Sequence, residues 1–461
     1  MINKYSVLCV TLILGIIFSV FPVVSLIFSI LLVFMVFLFL NPKVSFFLST
    51  ALLPLYNIGF SYNRTEYHLY YVSIVITFFI WTIRKIAKLD KAEKIIPGLV
   101  PIVIMFVLWS TISLFWTNDL SEGLSITQEL YSGLLLFLIM PDILRTEDDI
   151  RAYFGFLMFV GILLGAITLT SQWYNGVKTM EVWGDWKFYL SLLNEKERAA
   201  GFAGVNYAAT MLSFFVFMII SNLFFIKGKL RVLVFFVIFF LLVTVVMTGS
   251  KSGFGGLILG LFLLDIILPG MKNKIIYILS TIFALIFSFI IGGLLTTGDL
   301  STTRVAAVEA AFSFETRFEW WSKGFKSLSE NYGLGLGIGG FRKLISPVKF
   351  AHNIFLSTLF DLGIIGFSFF VLLLVYVFYE LARLMRKPLD SRVKAILCCM
   401  VASFAGYLLN NILQGEYYNR VFLLMLGLYI SIIKVFETSF NAKRLTVKTL
   451  GVNKNIPLSN R

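Results

Sequence analysis

Residues 315–366 read ETRFEWWSKGFKSLSENYGLGLGIGGFRKLISPVKFAHNIFLSTLFDLGIIG, and this stretch decides what kind of fold the chain takes. Its first half is polar enough to live in water. From His352 it runs into an apolar helix long enough to cross a bilayer. Between the two lies a glycine-dense turn, Gly333-Leu-Gly335-Leu-Gly337-Ile-Gly339-Gly340. A water-exposed loop therefore delivers an arginine, a row of glycines and a histidine to a membrane surface. Glycine admits φ > 0 and lets another backbone or a ligand come close. The run matches no phosphate-loop fingerprint, so a flexible loop and a close-approach loop both remain open. His352 is one of two histidines in the chain. It titrates near neutral pH and suits general-base work; the plainer reading is an interfacial side chain bonding lipid headgroups.

Working outward, composition agrees with the membrane. The 461 residues are 59% hydrophobic and 14% charged, with a mean hydropathy of +0.90, whereas a soluble chain carries about 25% charged residues. The expected fold is all-α: a polytopic integral membrane helix bundle, one domain over 1–461. The net charge of +14 would suggest nucleic acid in a soluble protein. Here the basic residues cluster in short loops, where they set topology and meet anionic headgroups, so no nucleic-acid partner is expected. The three cysteines, Cys9, Cys398 and Cys399, sit inside apolar runs and read as small hydrophobes. Lys4 and the apolar run after it resemble a signal peptide. No small-residue cleavage site follows, so a retained first helix is expected.

Apolar runs fall at about 5–21, 22–40, 44–60, 67–83, 96–116, 123–141, 152–173, 207–226, 230–247, 253–268, 275–295, 352–378, 395–409 and 419–436. Helix is the state that satisfies their backbone groups in lipid, which predicts about 12–14 transmembrane helices. Basic loops occur at Arg84–Lys94, Lys227–Arg231, Lys272–Lys274 and Arg383–Lys394, and the tail after Lys434 is basic too. An even number of runs separates each pair, so all fall on one side, the cytoplasmic one, with both termini. Two longer loops, 174–206 and 296–351, are then external, and loops of that length are usually functional. In the second, Phe318, Trp321, Phe325 and Leu328 recur at helical spacing. They predict a short amphipathic helix that rests on the membrane or caps a cavity.

Four external cations run against the charge trend: Arg198, Lys251, Arg304 and Arg317. A cationic side chain at the mouth of a bundle calls for an anionic partner, and arginine's planar fork suits phosphate. Loop salt bridges with Glu197, Glu309, Glu315 or Glu319 are the bland alternative, and for Arg304 the preferred one. Lys251 sits in a tight turn without an acidic neighbour. Intramembrane carboxylates are few: Glu129 and Asp361 within spans, Asp265 near an end. Such residues are functional candidates by default. No metal constellation is evident, and His68 beside Glu66 reads as a headgroup contact.

Together the residues resemble a family. Arg317, Trp321, Gly324, then Gly333-Leu-Gly335-Leu-Gly337, then Ala351-His352-Asn353, then Asp361-Leu-Gly363-Ile-Ile-Gly366 are similar to the domain shared by bacterial O-antigen ligases and O-antigen polymerases. Arg198-Ala-Ala-Gly-Phe…Asn206 resembles an upstream element of that family. Thr248-Gly-Ser-Lys251-Ser resembles another, with lysine where arginine is usual; Val205 interrupts a common N-P-N. The resemblance implies glycosyl transfer at the outer face of the bacterial inner (cytoplasmic) membrane, without metal, cofactor or nucleotide sugar. The donor would be an undecaprenyl-diphosphate-linked glycan, and the acceptor a sugar hydroxyl on a glycan or lipid A-core. It implies His352 and Arg317 as catalytic, Arg198, Lys251 and Arg317 as diphosphate-binding, and Gly335, Gly337, Asn353, Asp361 and Gly363 as structural at the site. The competing expectation is a transporter or flippase of lipid-linked glycan, which predicts internal repeats and broken helices near the midplane. A noncatalytic assembly subunit is the third reading. Polymerase is preferred slightly over ligase.

Overall fold

The computed structural model describes residues 33–55, 58–62, 65–89, 98–171, 176–183, 186–195, 198–201, 204–226, 228–268, 302–345, 351–415 and 417–449, and the single positions 282 and 286. Segments 61–67, 176–201, 302–315 and 439–449 are described along the backbone only. The expected runs 5–21 and 275–295, most of 22–40, and Cys9 lie outside the described residues.

The described chain is an all-α polytopic helix bundle with one small sheet added. Its helices are α1 (Val33–Leu40), α2 (Pro42–Leu52), α3 (Leu69–Ile86), α4 (Leu99–Ile112), α5 (Leu120–Ile143), α6 (Glu147–Thr170) and α7 (Val205–Asn222). They continue with α8 (Leu230–Met247), α9 (Lys251–Ile267), α10 (Thr302–Glu330), α11 (Gly340–Ile345), α12 (Ile354–Met385), α13 (Ser391–Gln414) and α14 (Arg420–Thr449). Among the described residues, eight helices are long and apolar enough to cross a membrane, or nine if α1 and α2, bent by 107°, form one span. Pro42 stands at the bend, where it withholds an amide from the helix ladder.

Local chemistry sets the helix starts. Thr146 and Asp149 form a reciprocal capping box at α6, satisfying two otherwise orphan amides. Asp119, Ser250, Asn353 and Asp390 cap α5, α9, α12 and α13 with side-chain oxygens. The run 395–409 proves to be part of a 24-residue helix. The run 44–60 departs from expectation: helix stops at Leu52 and Ile58–Tyr62 is strand. Pro54 cannot donate the bond that would extend the helix.

The strands are β1 (Ile58–Tyr62), β2 (Thr65–His68), β3 (Gly176–Trp183), β4 (Trp186–Glu195) and β5 (Arg198–Gly201). They form an antiparallel sheet in the order β2-β1-β4-β3, with β5 against β4. The loop 174–206 is thus largely sheet. Along β4 the apolar Trp186, Phe188, Leu190 and Leu192 alternate with Lys187, Tyr189 and Ser191, the period-two pattern of a strand, whereas β3 mixes polar and apolar residues on both faces.

The helices pack closely where side chains are small. A Cβ on Gly406 would lie 2.5 Å from the Gly256 carbonyl, so α9 and α13 meet backbone to backbone. Small residues drive such approach in lipid, where apolar burial between helices gains little. Charged side chains collect at both ends of the bundle. One gathers Lys43 on Asp149, Lys434 on the Pro141 carbonyl, and Arg383 and Lys387 on Glu437. The candidate site lies at the other end.

Candidate functional site

The site is built on a break in α12. Gly363 has φ 67° and ψ −169°, non-helical values inside an otherwise continuous helix. The glycine-dense turn packs into this break. Leu336 donates its amide to the Phe360 carbonyl (2.9 Å), and Ile364 donates to the Gly333 carbonyl (2.8 Å). Trp109 Nε1 takes the Leu362 carbonyl at 2.8 Å. Backbone groups that a broken helix would leave bare in lipid are thereby paired. A Cβ on Gly335 would sit 2.5 Å from the Gly363 amide and 2.6 Å from the Asp361 carbonyl, and one on Gly363 would overlap the Gly333 carbonyl. Gly333, Gly335, Gly337 and Gly339 all have positive φ. The alternation of glycine therefore serves contact between two stretches of backbone.

Asp361 lies buried beside the break. Its Oδ1 accepts from the Phe341 amide (2.8 Å) near the start of α11, and its Oδ2 accepts from Tyr417 OH (3.1 Å). It joins the turn, the broken helix and the segment before α14. Gly324 on α10 packs face-on to Phe360, where a Cβ would come within 2.6 Å of the ring.

His352 sits one residue before the Asn353 cap. The cap is firm: Asn353 Oδ1 accepts from Phe355 (2.9 Å) and Leu356 (3.1 Å). His352 itself has φ 51°, a left-handed value that few non-glycine residues adopt. Trp321 Nε1 holds the preceding carbonyl of Ala351 at 2.9 Å. Trp320 stacks on the imidazole, with centroids 6.1 Å apart and planes at 29°. Such strain persists where surroundings over-determine it, often at functional sites. Burial, and next the positive charge of Arg317, pull the His352 pKa down to about 4. The ring is therefore neutral at pH 7.

Arg317 reaches from α10 to the C-terminus of α13, donating Nη1 to the Leu413 carbonyl at 3.1 Å. That helix end also receives the α7–α9 corner. Asn206 donates to Gln414, and Ser250, the residue before Lys251, donates Oγ to Asn206 Oδ1 at 2.7 Å. Lys251 is exposed at the first turn of α9. Arg317 and the turn that carries Lys251 thus gather at one helix end, and His352 lies within reach of the Arg317 charge, despite their separation in sequence. Arg198 lies on β5, which packs on α7; its side chain and that of Arg304 lie outside the described residues.

Arg420 escaped the sequence reading. It is buried at the start of α14, donates Nε to Tyr207 OH at 2.9 Å, and lies 3.9 Å from Glu129. Its guanidinium covers the ring of Tyr70 on α3 at 4.3 Å, and His68, at the end of β2, stacks on the same ring with centroids 5.6 Å apart. The usable signal was an arginine opening an apolar run on the cation-poor side. Arg342 paired with Glu122 was likewise unforeseen. Among the described residues, no group of three or more His, Cys, Asp or Glu is arranged to hold a metal ion.

A polytopic bundle whose glycine turn clamps a broken span, with a histidine and cations at one end, defines a membrane protein with a polar site at one surface. Residues 236–371 match the family model described as O-antigen ligase. Over this stretch, rather less than half of its length, the chain is similar to the O-antigen ligase family. No curated protein matches the chain. The matched segment includes Lys251, Arg317, Gly335, Gly337, His352, Asn353, Asp361 and Gly363, and leaves Arg198 and Arg420 outside it.

Proposed function

We propose that the protein transfers or polymerises glycan from an undecaprenyl-diphosphate-linked donor onto a sugar hydroxyl, at the outer face of the bacterial inner membrane. The carrying observation is the neutral, strained His352 held beside Arg317 within the O-antigen ligase match. In the reaction, the acceptor oxygen attacks the anomeric carbon of the donor sugar. The bond from that carbon to the diphosphate oxygen breaks, and the diphosphate leaves with the electron pair. His352 accepts the hydroxyl proton. Arg317, Lys251 and Arg198 hold the diphosphate and stabilise the charge it gains. Asn353 and Asp361, with Gly335, Gly337 and Gly363, fix the backbone that carries His352.

The transporter reading expects broken spans, and α12 is one. Its broken backbone is filled by Gly333, Leu336 and Trp109, which favours a scaffold over a substrate gate. The test uses protein in lipid nanodiscs with purified lipid-linked donor. His352→Ala is expected to lower the transfer rate by about 10²–10⁴-fold, the usual share of general-base catalysis, with insertion unchanged. Retention of most of the rate would remove the base assignment. The glycan profile of a deletion strain separates the two activities. Single units still attached mark a polymerase; unattached lipid-linked polymer marks a ligase with a lipid A-core acceptor.

A further inference from the structure

Beneath the site, α7 and α13 run antiparallel with polar residues facing each other at successive turns. Asn206 meets Gln414 at the surface, and Thr210 meets Asn410 one turn below. The next turn holds Ser213 and Tyr407. Here a cavity of ≈ 10 Å³ opens between α7, α9 and α13, lined by Thr210, Ser213, Gly256, Tyr407 and Asn410 among others. Four oxygens of the lining residues have no hydrogen-bond partner among the described residues: Ser403 Oγ, one turn deeper, and three at this level, Ser213 Oγ, Tyr407 OH and Asn410 Oδ1. Tyr407 and Asn410 are each 5% exposed.

The orientation of the Asn410 amide follows from its neighbour. Thr210 Oγ1 donates to the Asn206 carbonyl at 2.8 Å, so towards Asn410 it offers a lone pair. Asn410 must then present its NH₂ to Thr210, which leaves Oδ1 as the acceptor still to be satisfied. Buried polar groups are almost always hydrogen-bonded, and these three lie in the apolar middle of a bundle.

We propose that this cavity is a binding site for one ordered water molecule. The water accepts from Tyr407 OH and donates to Asn410 Oδ1 and Ser213 Oγ. The volume is about the room one water needs, and three polar partners are the usual number for a buried one. A cation of similar size is disfavoured, because no anionic side chain lines the cavity and an unpaired buried charge is costly. With the water in place, the polar seam continues from the Asn206–Gln414 contact two turns into the bundle. It ties α7 to α13 directly below Leu413, whose carbonyl holds Arg317.

Radiolytic footprinting of the wild-type protein in nanodiscs, in ¹⁸O-labelled water, tests this. Radicals form from the bound water, so Tyr407 is expected to be oxidised despite its burial, as is the exposed Tyr332. Tyr417, fully buried but bonded to Asp361 Oδ2 at 3.1 Å, is expected to stay unmodified. An unmodified Tyr407 overturns the proposal. Equal oxidation of Tyr407 and Tyr417 overturns it too, since bulk solvent would then be entering the bundle. Tyr407→Phe gives an independent sign. If a water is bound, the variant loses a hydrogen bond and Tm falls. If the cavity is dry, it sheds an unsatisfied hydroxyl and Tm rises, which refutes the site.

Discussion

At the scale of single residues, His352 and Arg317 make predictions that can be separated by pH. An imidazole accepts a proton only when neutral, so activity is lost as pH falls through its pKa. In the free protein that pKa is about 4, lowered by burial and then by Arg317. A bound diphosphate brings negative charge beside the ring, which favours the protonated form and raises the pKa. The acid limb of kcat, which reports the donor complex, is therefore expected at higher pH than the acid limb of kcat/KM for the donor, which reports the free enzyme. Coincident limbs would show that the histidine does not sense the diphosphate. Arg317→Gln removes the positive neighbour, so it should move the kcat/KM limb upward while raising KM for the donor. Arg317→Lys keeps the charge but loses the two-pronged fork. It should leave that limb in place and still weaken donor binding, as read from a donor titration at fixed pH.

At the scale of elements, the glycine turn and the break in α12 form one unit, and their stability is the measurable consequence. Alanine at Gly363 would be held at φ 67°, ψ −169°, backbone values open essentially to glycine alone and costing about 1–3 kcal/mol, and would also overlap the Gly333 carbonyl. Gly335→Ala meets the Gly363 amide in the same way. Both variants are expected to lower Tm or prevent insertion of folded protein. Gly255→Ala, on α9 with open space around it, should be neutral or stabilising by about 0.5–1 kcal/mol. Equal tolerance of all three would mean that the turn does not clamp the helix. Much of this unit was legible in the sequence. The His-Asn pair before a long apolar run marked the start of α12, and the family resemblance put Gly363 among the structural residues, but the run read as one unbroken helix and the break at Gly363 was not foreseen. What could not be read was the pairing between Gly333–Leu336 and Phe360–Ile364, because loop and helix carry no shared periodicity that reports contact. The same limit hid Asp361's bonds to Phe341 and Tyr417. Arg420 was hidden for another reason: attention to cations in loops passes over one at the first residue of a span. The sheet went unseen although β4 alternates apolar Trp186, Phe188, Leu190 and Leu192 with polar neighbours, because β1, β2 and β5 are only four or five residues long and β3 lacks the alternation.

At the scale of the whole molecule, the short basic loops predict which way the bundle faces. Lys43, Lys434, Arg383 and Lys387 bond acidic or carbonyl groups at one end, and the positive-inside rule assigns that end to the cytoplasm. The opposite end carries His352, Arg317 and Lys251, and the proposed reaction needs it to face outward, where lipid-linked glycan is presented. Ser329 near the end of α10 and Ser391 at the start of α13 are both exposed and lie toward opposite ends. With native cysteines replaced, Ser329→Cys should react with a membrane-impermeant thiol reagent in cells whose outer barrier has been opened. Ser391→Cys should react only after the inner membrane is permeabilised. Ser301 offers the same external test from a position outside the described residues. The reverse pattern would put the site in the cytoplasm. It would also contradict the proposed substrate compartment while leaving every contact of the fold intact, so this experiment tests the functional reading independently of the structure.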